Sequence, residues 1–201
     1  MIYHAKSYNI GFLSDSHNKN DKIDEILSKH PEITEWFHLG DLVSFFNPKS
    51  KQNHLTEEWY FKNACKFVGF VQGNHDQVCG KPYLNIRTKK TEFINVTDKF
   101  ALCLKSHSKN IKIVLPNDHE ILLSHSFPND ILEFVQKTIT EREFVDEFLI
   151  EDNTLAVLIG HNHYQWKKIF VDTDCELCSI GAILDGHYAI LEEGKIQLKK
   201  L

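Results

Sequence analysis

The chain has 201 residues, with 23 Lys and Arg against 28 Asp and Glu and a formal net charge of -5. That length suits one domain spanning residues 1–201, large enough to bury a core without staples. The charge argues against a general nucleic-acid or membrane surface, and no run reaches the roughly 18 apolar residues of a membrane span. Five cysteines in a chain whose start lacks a signal-peptide core predict reduced thiols and a cytoplasmic location.

In chain order, residues 10–13 form the first apolar run and end at Ser14-Asp15-Ser16-His17. Asn20 or Asp21 can cap a helix that carries Ile23, Ile26 and Leu27 on one face, and Pro31 stops it. Residues 33–39 read as a second strand, ending at Gly40-Asp41. Residues 44–54 read as a polar loop. A helix is predicted over 55–66, with Thr56, Glu57 and Glu58 in its first turn.

The run Phe67-Val68-Gly69-Phe70-Val71 reads as a third buried strand. It ends at Gly73-Asn74-His75-Asp76, where Gly73 is expected to permit a sharp turn. Residues 79–109 give little signal beyond weak apolar runs at 93–96 and 100–104. Residues 111–115 and 120–123 look like a hairpin around Pro116-Asn117-Asp118, and the second arm ends at Ser124-His125-Ser126.

Helices are expected near 129–136 and after the capping-box pattern at Thr140-Glu141-Arg142-Glu143. Residues 155–159 are a continuous apolar strand ending at Gly160-His161-Asn162-His163. The tail from 169 to 201 reads as several antiparallel strands, with turns near Asp185-Gly186 and Glu193-Gly194.

Twelve histidines is the unusual count. Most have ordinary readings: His4, His30, His54, His107, His119 and His187 as surface or packed residues, and His38 as a packed residue within a strand. Five groups differ because each closes an apolar strand: Asp15-x-His17, Asp41, Asn74-His75-Asp76, His125 and His161-x-His163. Ligands of α/β sheets gather at such carboxyl ends. Carboxylate and amide oxygens with imidazole nitrogens suit manganese, iron and zinc. In an extended tip, residues i and i+2 point to one side, so each pair can reach one metal or two neighbouring ones. Cys175-x-x-Cys178 lacks a nearby second pair of ligands and lies in strand-like sequence, so it reads as two packed thiols rather than a zinc or redox site. Trp59-Tyr60-Phe61 reads as core packing.

The order of these motifs resembles the calcineurin-like metallophosphoesterase superfamily, in its compact bacterial and archaeal phosphodiesterase branch, from Ile10 to about Ile190. The resemblance implies a four-layer αββα sandwich of two mixed sheets flanked by helices. It implies two divalent ions, manganese first, with iron, zinc, nickel or cobalt as alternatives. By similarity Asp15, His17 and His163 bind one ion, Asn74, His125 and His161 the other, and Asp41 bridges them. A hydroxide activated by the two metals would then attack phosphorus. His75 would stabilise developing charge or protonate the leaving oxygen, with Asp76 orienting it or supporting the shell from behind.

The implied substrate is a small phosphate ester, nucleotide-type esters included, with no membrane partner; a homodimer is compatible with the family. Phosphoprotein phosphatases of the family carry Asp-Arg-Gly where this chain has Ser44-Phe45-Phe46, which favours phosphodiesters. Ser126 also departs from the common Gly after the fifth-motif His. The alternatives are a phosphomonoesterase or protein phosphatase on the same fold, or a non-catalytic binding scaffold.

Overall fold

A computed structural model describes residues 1–44, 51–71, 73, 75–76, 83–85, 90–92, 107–108, 110–126, 150–169 and 174–201. Its strands are β1 (Ile2–His4), β2 (Ile10–Leu13), β3 (Glu35–His38), β4 (Phe67–Val71), β5 (Tyr83–Asn85), β6 (Lys90–Glu92) and β7 (His107–Ser108). They continue with β8 (Asn110–Val114), β9 (Glu120–Ser124), β10 (Thr154–Ile159), β11 (Gln165–Ile169), β12 (Glu176–Ile180), β13 (His187–Glu192) and β14 (Lys195–Lys200). Among the described residues the helices are α1 (Asn20–Lys29) and α2 (Lys51–Asn63), with single 3-10 turns at Ala64–Lys66 and Ile183–Asp185.

Twelve of these strands form two mixed sheets, ordered β1-β8-β9-β10-β12-β11 and β14-β13-β2-β3-β4-β7, while β5 and β6 pair with each other. The first sheet joins parallel β9-β10-β12 to antiparallel neighbours on both sides. In the second, β2, β3, β4 and β7 run parallel, and β13 and β14 add antiparallel strands.

The sheets stack face to face because the central strands are apolar on both sides. Ile10, Phe12, Phe37, Leu39 and Val71 meet Ile111, Ile113, Ile121, Leu123, Ala156 and Leu158 in one core. Phe12 and Phe37 stack there with centroids 6.1 Å apart. Each such Ile, Leu, Val or Phe side chain, fully buried, contributes about 1.5–3 kcal/mol. The outer face of the second sheet packs Trp36 and Phe70 against Ile23 and Ile26 of α1 and Tyr60 of α2. This is an α/β sandwich of two mixed sheets, as the motif order implies. The helices predicted near 129–136 and 140–149 lie outside the described residues, as does most of 79–109.

Several local expectations are corrected. Helix α1 has Lys19 at its N-cap position without a side-chain cap, and the Asn20 amide is turned to Thr56 at 3.1 Å instead. Helix α2 starts at Lys51, so Thr56 lies inside it, buried, rather than in its first turn. The tail is not wholly antiparallel: β12 runs parallel to β10, and β11, before residue 169, supplies its antiparallel partner. The turn at Glu193-Gly194 closes the β13-β14 hairpin as expected, with φ of 52° and 73°.

Candidate metal centre

The tips of β2, β3, β4, β9 and β10 converge on one edge of the sandwich. Within the second sheet, Asp15 N–H donates to the Gly40 carbonyl at 2.9 Å and His17 N–H to the Asp41 carbonyl at 3.1 Å. At this edge the sheet is tied to the first by His161 N–H, which donates to Asp15 Oδ2 at 2.8 Å, and by His125 Nδ1–H, which donates to the Leu39 carbonyl at 2.6 Å. The site is the seam between the sheets.

The ligand-type residues do not sit on extended tips. Asp15, His17, Asp41, His161 and His163 have φ of 51°, 44°, 57°, 60° and 58°. These left-handed values are unusual outside glycine, though Asp, Asn and His tolerate them best. Asp15 and His17 share one cluster while His161 and His163 belong to different ones, all from turned rather than extended backbone, which corrects the extended-tip argument. Gly73 is also needed for another reason than a turn. A Cβ there would lie 2.2 Å from the Asp41 amide nitrogen and from Asp41 Oδ1. Gly160 is equally confined, with Ser14 Oγ 1.9 Å and Asp15 Oδ2 2.6 Å from its Cβ position.

Three overlapping clusters result: Asp15, His17 and His163; His17, Asp41 and His75; and Asp41, His125 and His161. In the first, the Nε2 atoms of His17 and His163 lie 3.1 Å apart, at 3.8 and 3.5 Å from Asp15 Oδ1. That oxygen is fully buried and has no hydrogen-bond donor among the described residues. A buried carboxylate oxygen without a donor, facing two imidazole nitrogens, is what a cation would satisfy. Asp15 Oδ2, by contrast, is held by Ser14 Oγ–H and the His161 amide.

In the third cluster, His125 Nε2 lies 3.3 Å from Asp41 Oδ2. Its Nδ1–H is committed to the Leu39 carbonyl, so the neutral ring presents its lone pair on Nε2, as metal-ligating histidines do. Burial opposes charge on His125, but the hydrogen bond and attraction of Asp41 outweigh it and push the ring to about 9. A divalent cation would take over that proton's part as counter-charge. Burial lowers His17 and, helped by His125, also His161, which favours the neutral, ligating form. The donor set therefore fits divalent metals. Asn74, the remaining expected ligand, lies outside the described residues.

His75 is half-buried beside His17, with ring centroids 5.1 Å apart. Its amide donates to Asp41 Oδ1 at 2.7 Å, its Nδ1–H to the Ser44 carbonyl, and its Nε2 lies 3.9 Å from Asp41 Oδ2. Asp76 is buried behind the turn that carries Asp41. Its oxygens accept from the backbone N–H groups of Asp41, Leu42 and Gly73 at 2.8, 2.9 and 3.0 Å. Burial, reinforced by Asp41, raises its carboxyl to about 6.

A cleft of about 490 Å³ opens beside the first cluster, lined by His17, His163, Asn18, Lys19, Ser44 and Gln52 with Leu184. Sequence reasoning missed Asn18, a polar residue off any periodic pattern; it read Ser44 only as the place of an absent acid and His38 only as a packed strand residue. His38 is buried and stacked on Phe70 at 4.9 Å, but it also accepts from Gly40 N–H at 3.2 Å and lies 3.2 Å from Ser16 Oγ. It clasps the loops carrying Asp15 and Asp41. His187 donates to the His163 carbonyl at 3.4 Å, closer to the site than its ordinary reading implied. Cys178 of β12 and Cys175, just before that strand, are buried in different clusters, as packed thiols rather than a paired metal site.

Residues 8–190 match the family described as the calcineurin-like phosphoesterase superfamily domain. No curated protein matches the chain significantly. Among solved structures, an archaeal phosphodiesterase shares 15% identity and superposes with a TM-score of 0.59, covering 96% of this chain and 99% of that one. A metallophosphoesterase from Sphaerobacter thermophilus shares 16% identity at a TM-score of 0.60, covering 96% and 88%. The E. coli phosphoesterase Yfce shares 16% identity at 0.59, covering 92% and 88%. At these identities the likeness is one of fold. Among the described residues, no helix is long and apolar enough to cross a membrane.

Proposed function

The chain belongs to the calcineurin-like phosphoesterase superfamily, and from that premise we propose that it is a two-metal phosphodiesterase acting on small phosphate diesters, nucleotide-type esters included. The observation that carries the two-metal reading is that Asp41 belongs both to the cluster with His17 and His75 and to that with His125 and His161. In this reading Asp15, His17 and His163 would hold one divalent ion, and His125 and His161 with Asn74 the other, with Asp41 available to both.

Ions held there would supply Lewis-acid polarisation of the phosphoryl oxygens and a lowered water pKa. The chain's own residues do the rest. His125 is aimed by the Leu39 carbonyl, and Asp15 by Ser14 and the His161 amide. Asp76 holds the turn that carries Asp41 and His75. His75 protonates the leaving oxygen, because its Nδ1–H is held from behind while Nε2 faces the Asp41 side.

The diester preference rests on Ser44-Phe45-Phe46. With no arginine at this place, a bidentate grip on a phosphomonoester dianion is missing. The cleft's own cation among the described residues is Lys19. The test is hydrolysis of bis(4-nitrophenyl) phosphate and 4-nitrophenyl phosphate by protein loaded separately with Mn²⁺, Zn²⁺ and Mg²⁺. A higher kcat/KM on the diester is expected, with manganese giving the fastest turnover. A higher value on the monoester would make it a phosphomonoesterase, and no hydrolysis of either would leave a binding scaffold.

A further inference from the structure

Ser44 stands three residues after Asp41, where the loop leaving β3 reaches the cleft. Its Oγ–H donates to the His17 carbonyl at 2.8 Å, and the same Oγ accepts from Asn18 Nδ2 at 3.2 Å. Its own carbonyl accepts from His75 Nδ1. One residue thus touches the loop of a candidate ligand and the imidazole expected to move a proton.

Asn18 is in turn fixed from behind. It is buried, with φ of 68°. Its Nδ2 also donates to Asn53 Oδ1 at 3.2 Å, its Oδ1 accepts from Thr56 Oγ1 at 2.9 Å, and its carbonyl accepts from Gln52 Nε2 at 3.2 Å. Asn53, Thr56 and Gln52 are all on α2. A continuous polar path runs from α2 through Asn18 and Ser44 to His75.

A carbonyl oxygen can only accept. Bonded to it, the neutral His75 ring keeps its proton on Nδ1 and its lone pair on Nε2; the protonated ring carries its transferable proton on Nε2, toward the site. The direction of that proton depends on where the Ser44 carbonyl stands. The hydroxyl of Ser44, not its carbonyl, is the part that sequence controls.

We propose that Ser44 is a positioning residue: its hydroxyl, gripped by the His17 carbonyl and by Asn18, holds its carbonyl where it sets the tautomer and aim of His75. Helix α2 supplies the anchor. The serine therefore has a task of its own in a place that phosphoprotein phosphatases fill with an acid. The proposal rests on the leaving-group role given to His75 above.

The test compares Ser44→Ala and Ser44→Thr with His75→Asn. Metal-loaded proteins are assayed on diesters with nitrophenolate and with alkyl leaving groups. Ser44→Ala should lower kcat for the alkyl diester about 10- to 100-fold, the usual cost of losing an outer-shell partner. It should lower kcat on the nitrophenyl diester only a few-fold, keep the metal content, and be rescued by Ser44→Thr, which restores the hydroxyl. An equal loss on both substrates, or no loss, overturns the proposal.

Imidazole ¹⁵N spectra of the metal-free protein give a second readout, with His75 assigned from the signal missing in His75→Asn. At a pH alkaline enough that the ring is neutral, wild type should show His75 protonated at Nδ1, and Ser44→Ala a mixture of tautomers. An unchanged tautomer in Ser44→Ala overturns the proposal whatever the kinetics do. If His75→Asn itself shows no leaving-group dependence, the acid role of His75 fails, and the spectra alone decide whether Ser44 aims the ring.

Discussion

The backbone N–H of Asp41 donates to Oδ2 of Asp76 at 2.8 Å, so one buried carboxylate holds the main chain of another. The same Asp76 oxygen accepts from Gly73 N–H, which joins the tip of β4 to the tip of β3. Asp41 is thereby fixed by its backbone while its own oxygens are left to the site and to the His75 amide.

Asp41 should therefore matter to metal binding more than any outer ligand. Asp41→Ala is expected to lose more metal than Asp15→Ala or His163→Ala when each is analysed for metal content after mild chelation. Retention of two ions by Asp41→Ala at wild-type levels would rule out its shared position.

Gly73 should not tolerate a side chain, since even a methyl group would lie 2.2 Å from Asp41 atoms. Gly73→Ala is expected to cost about 1–3 kcal/mol of stability by overpacking and to weaken metal binding at least about 10-fold. Gly194→Ala is the control. Gly194 has a φ of 73° but nothing within 4 Å of its Cβ position, so only backbone strain of roughly 1 kcal/mol should appear. Thermal melts and metal titrations of the two variants separate crowding from strain. Equal behaviour would refute the crowding account.

His75→Asn should keep the metals and the fold, because His75 is partly exposed, with a ring nitrogen 3.9 Å from Asp41. Loss of general acid help is worth about 10²–10⁴-fold in kcat. The full loss should appear for alkyl leaving groups and shrink for nitrophenolate, which departs without a proton. A lost metal would instead make His75 a ligand, as its place in the cluster with His17 and Asp41 would allow.

Cys175 and Cys178 give a pH prediction remote from the site. Burial pushes both thiols up to about 12 from an ordinary 9.0, with the Glu176 charge adding to it. Below pH 9 both states of the protein keep these protons and stability is unaffected. Between 9 and 12 the unfolded chain releases them while the folded one does not, so stability falls by about 1.4 kcal/mol per pH unit per thiol. Urea unfolding at pH 8 and pH 10 should show this extra slope in wild type and not in Cys175→Ala/Cys178→Ala. In the native state at pH 8, iodoacetamide should label exposed Cys65 and spare these two.

The sheets and the polar groups gathered at their strand ends were readable because both are written locally. Continuous apolar runs such as 67–71 and 155–159 have one stable use, as strands buried on both faces, and polar ligand types at their ends have no packing reason to be there. What local patterns could not give is partner choice. Cys178 and its neighbours form an ordinary-looking tail strand, and only the inter-sheet core makes β12 lie parallel to β10. Short or charged edge strands, β1 and β11, carry too few apolar residues to announce themselves. The turned backbone at Asp15 and His163 was hidden for another reason: no residue type marks a left-handed φ unless it is glycine.

That turned backbone restricts what selection or design can do with the site. At Asp15, His17, Asp41, His161 and His163 a replacement must satisfy two demands, a donor atom and a tolerance for φ near 50°. Short polar side chains meet the second most cheaply, and β-branched or bulky ones meet it badly. Glutamate or cysteine, often tried when a site is redesigned for another metal, would bring a donor and still strain the main chain. The accessible alphabet at these positions is therefore close to Asp, Asn and His. Retuning this centre toward a different ion is better attempted through the residues behind the ligands, such as His38 and Ser14, whose backbones carry no such restriction.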